Sequence, residues 1–301
     1  FDADVLREGL ASLTTDNAQG ELYLTDVVKF ARGRGLSVHS MVLADRWQTE
    51  GVNDRVQLAT LNKEYNRRLV EKWQRAGVTI VDPDTTWLHD TVDLGSDVTI
   101  LPGTSLEGAT SVASGATIGP DTTLLDVEVG ADATVVRSHV VLATIGAGAS
   151  VGPYAYLRPG TELGAGGKIG TFVETKNAQF GPGAKASHLS YIGDAEVGEG
   201  NNIGAGVIVA NYDGVAKHRT VVGRESFVGS NSVLVAPVTV GDGAYVAAGS
   251  ALTDAVGPGE LAIARGRQRN IPGWVASRRA GTKTHQAATD ASENNEGTHL
   301  L

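Results

Sequence analysis

The feature that most constrains the fold is an aliphatic residue that recurs at every sixth position through most of the chain. Three unbroken series run from Ile100 to Leu124, from Ile145 to Ile169 and from Val222 to Leu252. An α-helix has a different period, so its apolar stripe would drift steadily against a repeat of six. The spacing is instead that of the hexapeptide repeat of a parallel β-helix.

In such a fold each hexapeptide forms one short strand and a turn, and three of them close a triangular coil of about 18 residues. The aliphatic residue points inwards and stacks on its equivalents in neighbouring coils, and the glycine that often follows it gives backbone freedom at the corner. Glycine supplies 39 of the 301 residues and aromatic residues only 5%, which suits a narrow aliphatic interior. We expect a mainly β chain built around a left-handed parallel β-helix.

Changes in composition divide the chain into five predicted segments. Residues 1–53 are mixed and partly helical, and residues 54–77 have the apolar spacing of a helix. The β-helix is expected over 78–256. Residues 257–281 keep enough apolar side chains to pack on the last coil as a carboxyl-terminal extension. The small and polar residues 282–301 are expected to form a disordered tail.

Two stretches interrupt the six-residue period. ETKNAQFGPGAKASHLSY lies between Ile169 and Ile192, and ANYDGVAKHRTV follows Val209. A solenoid places insertions as loops on one face, which often carries the function. The residues best suited to chemistry lie in or near these stretches: Arg158, Lys176, His188, Tyr191, Asn202, Asn211, Tyr212 and Lys217.

Spacing already relates some of these candidates. Arg158 and Lys176 are separated by the length of one full coil, so they are expected on the same face in consecutive coils. His188 follows Lys176 after two further hexapeptides, which places it near that face or on an adjoining one. Two or three cations can hold a phosphate, and a neutral histidine can take a proton from an attacking amine.

Each candidate also has an ordinary structural interpretation. His188 could be a surface or turn histidine, and Lys217 a solvated charge. Arg158 could cap exposed carbonyls of a coil, and Tyr191 could serve packing. Asn202 and Asn211 could occupy turns, because asparagine tolerates the left-handed conformation.

Composition excludes several classes of function. The formal net charge of −9 argues against a general nucleic-acid-binding protein, and no run approaches the roughly 20 apolar residues that a membrane helix needs. The chain has no cysteine, which rules out disulfides, a thiolate metal site and a cysteinyl acyl-enzyme. The cytoplasm is the expected compartment.

Several segments carry a more specific signal than the hexapeptides: YLRPGTELG, GTFVETKNA, ASHLSYIGDAEVGEGNNIGAG, ANYDG with a downstream lysine, VGSNSVLVAPVTVG and LAIARG. From about residue 20 to 275 the chain resembles the carboxyl-terminal part of bacterial bifunctional N-acetylglucosamine-1-phosphate uridyltransferases/glucosamine-1-phosphate acetyltransferases. The resemblance implies acetyl transfer from acetyl-CoA to the amine of glucosamine 1-phosphate, in the synthesis of UDP-N-acetylglucosamine for the cell envelope. It also implies a homotrimer with sites between subunits.

The resemblance assigns roles to matching positions. His188 is expected to be the general base. The residues expected to hold the sugar phosphate are Arg158, Lys176, Tyr191, Asn202 and Lys217. Those expected along the acetyl-CoA groove are Ala205, Asn211, Tyr212, Ser230, Ala248, Arg265 and Trp274. Asn211 is also expected near the reacting amine, and the Ser230 hydroxyl near the thioester carbonyl. For Trp274, packing on the last coil is an equally good explanation.

The resemblance further implies that residues 1–53 are a small α/β remnant of the uridyltransferase domain, without that domain's glycine-rich nucleotide motif. Asn53 matches a magnesium-binding position of that domain, but the partner aspartate is absent, and a helix N-cap would equally explain the residue. Magnesium is therefore expected only for the missing uridyltransferase site, and no uridyltransferase activity is expected from this chain.

Three other interpretations stay open at this point. The same scaffold could acetylate a different amine, such as another amino sugar. It could be a non-catalytic solenoid that binds partners or ice, although its threonines are irregularly placed for an ice-binding surface. It could also be a folded but inactive piece.

Overall fold

The computed structural model describes residues 1–297. Contacts divide the chain into two units, Phe1–Lys63 and Glu64–Leu301, and the boundary falls within helix α3. The helices are α1 Ala3–Ala11, α2 Asp26–Gly33, a 3-10 helix at Arg46–Thr49, α3 Arg55–Arg75, α4 Trp274–Arg278 and α5 Lys283–Gly297.

The second unit is the parallel β-helix that the six-residue period predicts, with three faces. Face 1 is a sheet of eleven strands. They are β1 Thr79–Ile80, β4 Thr99–Ile100, β7 Thr117–Ile118, β10 Thr134–Val135, β13 Ser150–Val151, β16 Lys168–Thr171, β18 Lys185–His188, β20 Asn202–Ile203, β23 Phe227–Val228, β26 Tyr245–Val246 and β28 Leu261–Ala262.

The other seventeen strands form one sheet that wraps round faces 2 and 3. Face 2 holds β2 Trp87–Leu88, β5 Ser105–Glu107, β8 Thr123–Leu125, β11 His139–Val141, β14 Tyr156–Leu157, β17 Glu174–Phe180, β19 Tyr191–Val197, β21 Ile208–Ala210, β24 Val233–Val235 and β27 Ala251–Leu252. Face 3 holds β3 Asp93–Leu94, β6 Ser111–Val112, β9 Glu128–Val129, β12 Ala143–Ile145, β15 Thr161–Leu163, β22 Thr220–Val222 and β25 Val238–Val240. Strands β17 and β19 are long enough to turn from face 2 onto face 3.

The aliphatic series of the sequence fills the interior of the coils. Every residue of the first series, from Ile100 to Leu124, is at most 2% exposed. Residues of neighbouring coils stack in parallel register, for example Leu106 on Leu124 and Leu124 on Val140. Each strand therefore stabilises the fold mainly through the coils directly before and after it.

The coils vary in length more than the sequence pattern suggests. The register pairs Thr117 with Thr134 and Thr134 with Ser150, so these two coils are shorter than three full hexapeptides. Asn202, by contrast, pairs with Phe227 across a much longer coil.

The two irregular stretches of the sequence behave differently. The stretch between Ile169 and Ile192 is not a loop, because it forms β17 and β18 in full register with their neighbours. Only the stretch after Val209 leaves the coil as an insertion. The prediction of an inserted loop is therefore confirmed for one of the two stretches, and its functional role stays a prediction.

Helix α3 is attached to the first coils through its carboxyl-terminal half. The buried side chain of Asn66 donates from Nδ2 to the Thr86 carbonyl at 2.7 Å and accepts from the Leu88 N–H at 2.9 Å. Leu69 and Trp73 are buried as the helical spacing predicts, whereas Val56 remains 75% exposed. The predicted apolar face therefore serves packing only along part of the helix.

Two predictions about the ends of the chain are wrong. Residues 1–63 contain no strand in the structure, so the α/β character expected for residues 1–53 is not seen. The apolar run around Met41 and Val42 is exposed, and an isolated strand without a partner is not stable.

The expected disorder of the tail is replaced by α5 as far as Gly297. Its alanines favour a helix, and the Thr282 hydroxyl accepts from the His285 N–H at 3.3 Å. Residues 298–301 lie outside the described part.

The hydroxyl of Thr220 is the one buried side-chain polar atom without a hydrogen bond among the described residues. Replacing Thr220 by valine, which has the same shape, is expected to raise the free energy of unfolding by about 1 kcal/mol, because it removes an unpaired buried polar group. Chemical denaturation measures the change. Thr110→Val is the matched control and should destabilise, since the Thr110 hydroxyl donates to the Glu107 carbonyl at 2.7 Å. A loss of stability in Thr220→Val would contradict the prediction.

Candidate active site

Four of the predicted site residues line the first corner, the turn from face 1 to face 2. His188, Ala205, Ser230 and Ala248 occupy this corner in four consecutive coils. Backbone hydrogen bonds connect these coils. The Gly206 N–H donates to the His188 carbonyl at 3.1 Å, the Asn231 N–H to the Ala205 carbonyl at 2.8 Å, and the Gly249 N–H to the Ser230 carbonyl at 2.8 Å. These four residues form a continuous strip, which we call the first-corner strip, with the His188 imidazole at one end and the Ser230 hydroxyl along it.

Close packing of the main chain keeps this strip shallow. A Cβ atom on Gly204 would lie 2.6 Å from the backbone nitrogen of Ser230, and one on Gly229 would lie 2.5 Å from that of Ala248. Both approaches are to backbone and cannot be relieved by moving a side chain. Glycine is required at these two positions for space, and the result is a smooth groove wall below His188.

The main chain of His188 is fixed while its ring is free to react. His188 ends strand β18, pairs with Thr171 of β16, and accepts at its carbonyl from the Ser190 hydroxyl at 2.8 Å. The side chain is exposed, and its imidazole makes no hydrogen bond to the main chain of residues 1–297 or to the side chains of residues 1–292. Such a ring can accept a proton from a bound substrate.

A second group of candidates meets at the second corner, the turn from face 2 to face 3. Arg158 and Lys176 follow paired strands in consecutive coils, with Tyr156 opposite Glu174 and Leu157 opposite Thr175. Together with Lys217 they form what we call the cation cluster. Lys217 stands next to Lys176, and this neighbour lowers the pKa of Lys217 through hydrogen bonding and charge repulsion.

Two carboxylates neutralise part of the positive charge of the cation cluster. The Arg158 guanidinium contacts Glu174 Oε1 at 2.9 Å, and Lys176 Nζ lies 3.7 Å from Asp194 Oδ2. The hydrogen bond from Arg158 also raises the pKa of that guanidinium. The cluster therefore keeps a local positive excess on a chain that is acidic as a whole, as binding an anion requires.

The insertion after Val209 is a compact turn that presents Lys217. Tyr212 and Lys217 form an isolated antiparallel bridge, and the Asp213 carboxylate accepts from the backbone N–H groups of Val215 and Ala216 at 2.8 and 2.7 Å. These bonds and His218 hold the pKa of Asp213 well below its usual range. The turn thus has its own internal structure.

Tyr191 and Asn211 converge on the cation cluster across a glycine. Gly193 pairs with Lys176 in the preceding coil, and its backbone is not in the left-handed region. A Cβ atom there would collide with the Tyr191 hydroxyl and would lie 2.9 Å from Asn211 Nδ2. The missing side chain is therefore what lets these two polar groups reach the same spot.

The chain from His188 into strand β19 connects the two groups. From His188 through Tyr191 to Gly193 and Asp194 the chain crosses face 2 from the first corner to the second. At the strand rise of about 3.3 Å per residue, the corners are roughly 10 Å apart. Asn211 lies at the second corner, and its expected place beside the reacting amine stays a prediction.

Other predicted residues lie apart from both groups. Asn202 is on face 1 between Lys185 and Phe227. The Tyr212 hydroxyl donates within its own turn, to the Gly214 carbonyl at 2.6 Å. Arg265 follows Ala264, whose carbonyl accepts from the Ala251 N–H at 3.0 Å, so it lies one coil beyond Ala248. Trp274 is in α4, with the Arg279 guanidinium 5.4 Å from its ring centroid.

Asn53 lies just before α3, and its expected magnesium-binding role in the missing uridyltransferase site stays a prediction. The neighbouring Asp54 accepts from the Gln57 N–H, and the Asn53 N–H donates to Gln57 Oε1, both at 2.7 Å. Asp54, rather than Asn53, therefore supplies the side chain that caps α3. Among the side chains that the structure describes, those of residues 1–292, no group of three histidine or acidic residues could hold a metal.

Sequence reasoning missed Glu174 and Asp194 as partners of the cation cluster. The coil spacing could have found Asp194, which follows Lys176 at the same interval that separates Lys176 from Arg158. Asn211 in turn follows Asp194 at an ordinary coil interval, as Tyr191 and Ile208 do.

Comparisons with known proteins show which sequences the chain resembles. The family described as the hexapeptide repeat of succinyl-transferase matches residues 219–254. A protein of Pseudarthrobacter chlorophenolicus named bifunctional protein GlmU is 58% identical over 298 residues, which cover 99% of this chain and 61% of that protein. Proteins of the same name from Rhodococcus opacus and Kineococcus radiotolerans are 58% and 55% identical, cover 97% and 99% of this chain, and are themselves covered to 58% and 61%.

Within residues 1–297, no helix is both long and apolar enough to cross a membrane. The chain spans about 60% of the length of the relatives it matches. Over nearly all of its own length, the chain is homologous to that part of the proteins named bifunctional protein GlmU.

Proposed function

We propose that the chain transfers the acetyl group of acetyl-CoA to the amine of glucosamine 1-phosphate, giving N-acetylglucosamine 1-phosphate for UDP-N-acetylglucosamine synthesis in the cytoplasm. The observation that carries the proposal is the arrangement on face 2, with an unpaired imidazole at one corner and a cation cluster at the other. Its homology to the proteins named bifunctional protein GlmU supports the same reaction.

In the proposed mechanism the cation cluster binds the phosphate, and the sugar lies along face 2 towards His188. The amine attacks the thioester carbonyl, His188 takes the proton that the nitrogen loses, and the Ser230 hydroxyl donates to the oxyanion of the tetrahedral intermediate. When the intermediate collapses, a C–N bond has replaced the C–S bond and the CoA thiolate leaves. Acetyl-CoA would lie along the first-corner strip, past Ala205 and Ala248 towards Arg265.

We further propose that the active molecule is a homotrimer with sites between subunits. Tyr212, Asn202 and Trp274 are apart from the two groups within one chain, and a neighbouring subunit could bring them near. Sedimentation should give a trimer, and a fully active monomer would contradict this part of the proposal. We propose that magnesium serves only the missing uridyltransferase site and that acetyl transfer does not need it.

Release of free CoA thiol from acetyl-CoA tests the reaction directly, because a chain without cysteine gives no background with a thiol reagent. Release is expected to depend on glucosamine 1-phosphate and to be much slower with glucosamine. Equal rates with both acceptors would indicate another amine as substrate. No release from a folded trimer would overturn the proposed function.

Lys176→Gln is expected to raise the KM for glucosamine 1-phosphate, because it removes one charge-assisted contact to the phosphate. Such a contact contributes about 1.5–3 kcal/mol, which corresponds to roughly 10- to 100-fold in KM. The KM for acetyl-CoA should hardly change. Lys168→Gln on face 1 is the control, since Lys168 is exposed and lies in another sheet. An equal rise of both KM values would argue against a phosphate site.

A further inference from the structure

Asp194 links three consecutive coils at the second corner. Its side chain is 14% exposed and lies 3.7 Å from Lys176 Nζ. It accepts from Asn177 Nδ2 at 2.8 Å and also from Asn211 Nδ2. Lys176 and Asn177 belong to the preceding coil, and Asn211 begins the insertion that follows the next one. A single carboxylate thus fixes one member of the cation cluster and the base of the turn that carries another.

The backbone explains how Asp194 reaches these partners. Its φ of +49° is in the left-handed region, which aspartate and asparagine tolerate better than other residues with a side chain. The turn directs the carboxylate across the corner rather than straight out from the strand. Gly193, immediately before it, leaves the space into which the Asn211 amide enters.

We propose that Asp194 is a positioning residue of the site: it anchors Lys176 and Asn211 and supplies the counter-charge that allows Lys176 and Lys217 to stand side by side before an anionic substrate arrives. The inference deepens the proposed function, since it takes the anion to be the phosphate of the acceptor. It gives Asp194 no contact with the reacting atoms.

The charges around the cluster show why a carboxylate is needed. The charged and titratable groups facing it are Arg158, Glu174, Lys176, Asp194, Lys217 and the tyrosines Tyr156 and Tyr191. Glu174 is engaged by Arg158, so Asp194 is the acidic group left for the two lysines. Burial raises the pKa of Asp194, but Asn177, Asn211, Lys176 and Lys217 together lower it below its usual value. Asp194 in turn raises the pKa of Lys217 against the effects of Lys176, burial and Arg158.

Asp194→Asn keeps the shape and the left-handed preference but removes the charge. Its one oxygen could accept from fewer of the present donors, and its NH₂ group would face other amide NH₂ groups. We expect kcat/KM for glucosamine 1-phosphate to fall by roughly 10- to 100-fold, the cost of misplacing binding groups by about an ångström. When kcat/KM is measured against pH, its fall on the alkaline side should move to lower pH, because Lys217 would lose its proton more easily.

A readout that needs no activity is the titration of Lys217 itself. The chain has eight lysines, few enough to follow by NMR of ¹³Cε- and ¹⁵Nζ-labelled lysine and to assign with Lys217→Arg. Lys217 should titrate at lower pH in Asp194→Asn than in the wild-type protein, and Asp194→Glu should restore most of the difference. An unchanged Lys217 titration in folded Asp194→Asn would overturn the inference even if activity were lost, because the role would then be structural.

Asp126→Asn is the matched control. Asp126 has a φ of +52° and its carboxylate accepts from the Ala109 N–H at 2.8 Å, several coils before the cluster. Asp126→Asn should change neither the Lys217 titration nor kcat/KM. An effect as large as that of Asp194→Asn would overturn the inference.

If Asp194→Asn does not fold, Lys217→Gln tests the same coupling from the exposed turn. The pKa of Asp194, followed through its labelled carboxyl carbon, should rise when this cation is removed, and no change would overturn the inference. A wild-type protein that fails to acetylate glucosamine 1-phosphate would overturn the proposed function, whereas the two titrations would still decide the role of Asp194.

Discussion

Replacing His188 by alanine is expected to lower kcat for acetyl transfer by roughly 10²- to 10⁴-fold, the usual contribution of a general base. The substitution removes only the exposed imidazole. The backbone contacts that hold the first corner, from the His188 carbonyl to Gly206 and Ser190, are available to alanine as well. Binding of acetyl-CoA, measured by calorimetry, should therefore change little.

His139→Ala is the control for the loss of an exposed histidine from the same solenoid. His139 lies in β11 and packs beside Tyr156, with ring centroids 5.4 Å apart. It should leave kcat within about twofold of the wild-type value, as surface substitutions away from a site usually have small effects. An unchanged kcat in His188→Ala would show that another group takes the proton. A parallel loss of acetyl-CoA affinity would instead place His188 in coenzyme binding.

The periodicity of the sequence is sufficient to predict the solenoid and part of the site. One inward aliphatic residue in every six determines which residues stack, and the spacing of Arg158 and Lys176 places them in consecutive coils, as observed. Such predictions succeed because each coil contacts mainly its two neighbours. The arrangement of a solenoid therefore depends on local spacing more than on distant contacts.

What the sequence could not predict depends on coil length and on single side chains. Asn211 follows Asp194 at an ordinary coil interval, but the long coil between Ile208 and Val233 contains an inserted turn, and no periodic pattern shows where that turn folds back. Gly193 looks like any repeat glycine, yet its role is to admit Tyr191 and Asn211. The register also assigns His188 to face 1 and Tyr191 to face 2, on either side of a corner that spacing alone left open.

Leu157→Ala is expected to lower the free energy of unfolding by about 2–5 kcal/mol, the range for truncating a buried leucine in a packed core. Leu157 is fully buried and stacks on Val140 in one coil and on Thr175 in the next. Because the interior is narrow and each coil is held by its neighbours, the cavity cannot be filled by a distant side chain. Urea denaturation followed by circular dichroism would measure the loss.

The position of Leu157 adds a second expected effect. It directly precedes Arg158, whose carbonyl accepts from the Thr161 hydroxyl at 2.8 Å, and that hydroxyl also lies 3.0 Å from the Thr175 hydroxyl. Hydrogen exchange should therefore become faster first in β14 and β17, beside the cation cluster, and later in distant coils. Leu261→Ala is the control, since Leu261 is 62% exposed in the last strand of face 1; its truncation should cost less than about 0.5 kcal/mol. Equal losses in the two variants would show that stability does not reside in the stacked interior.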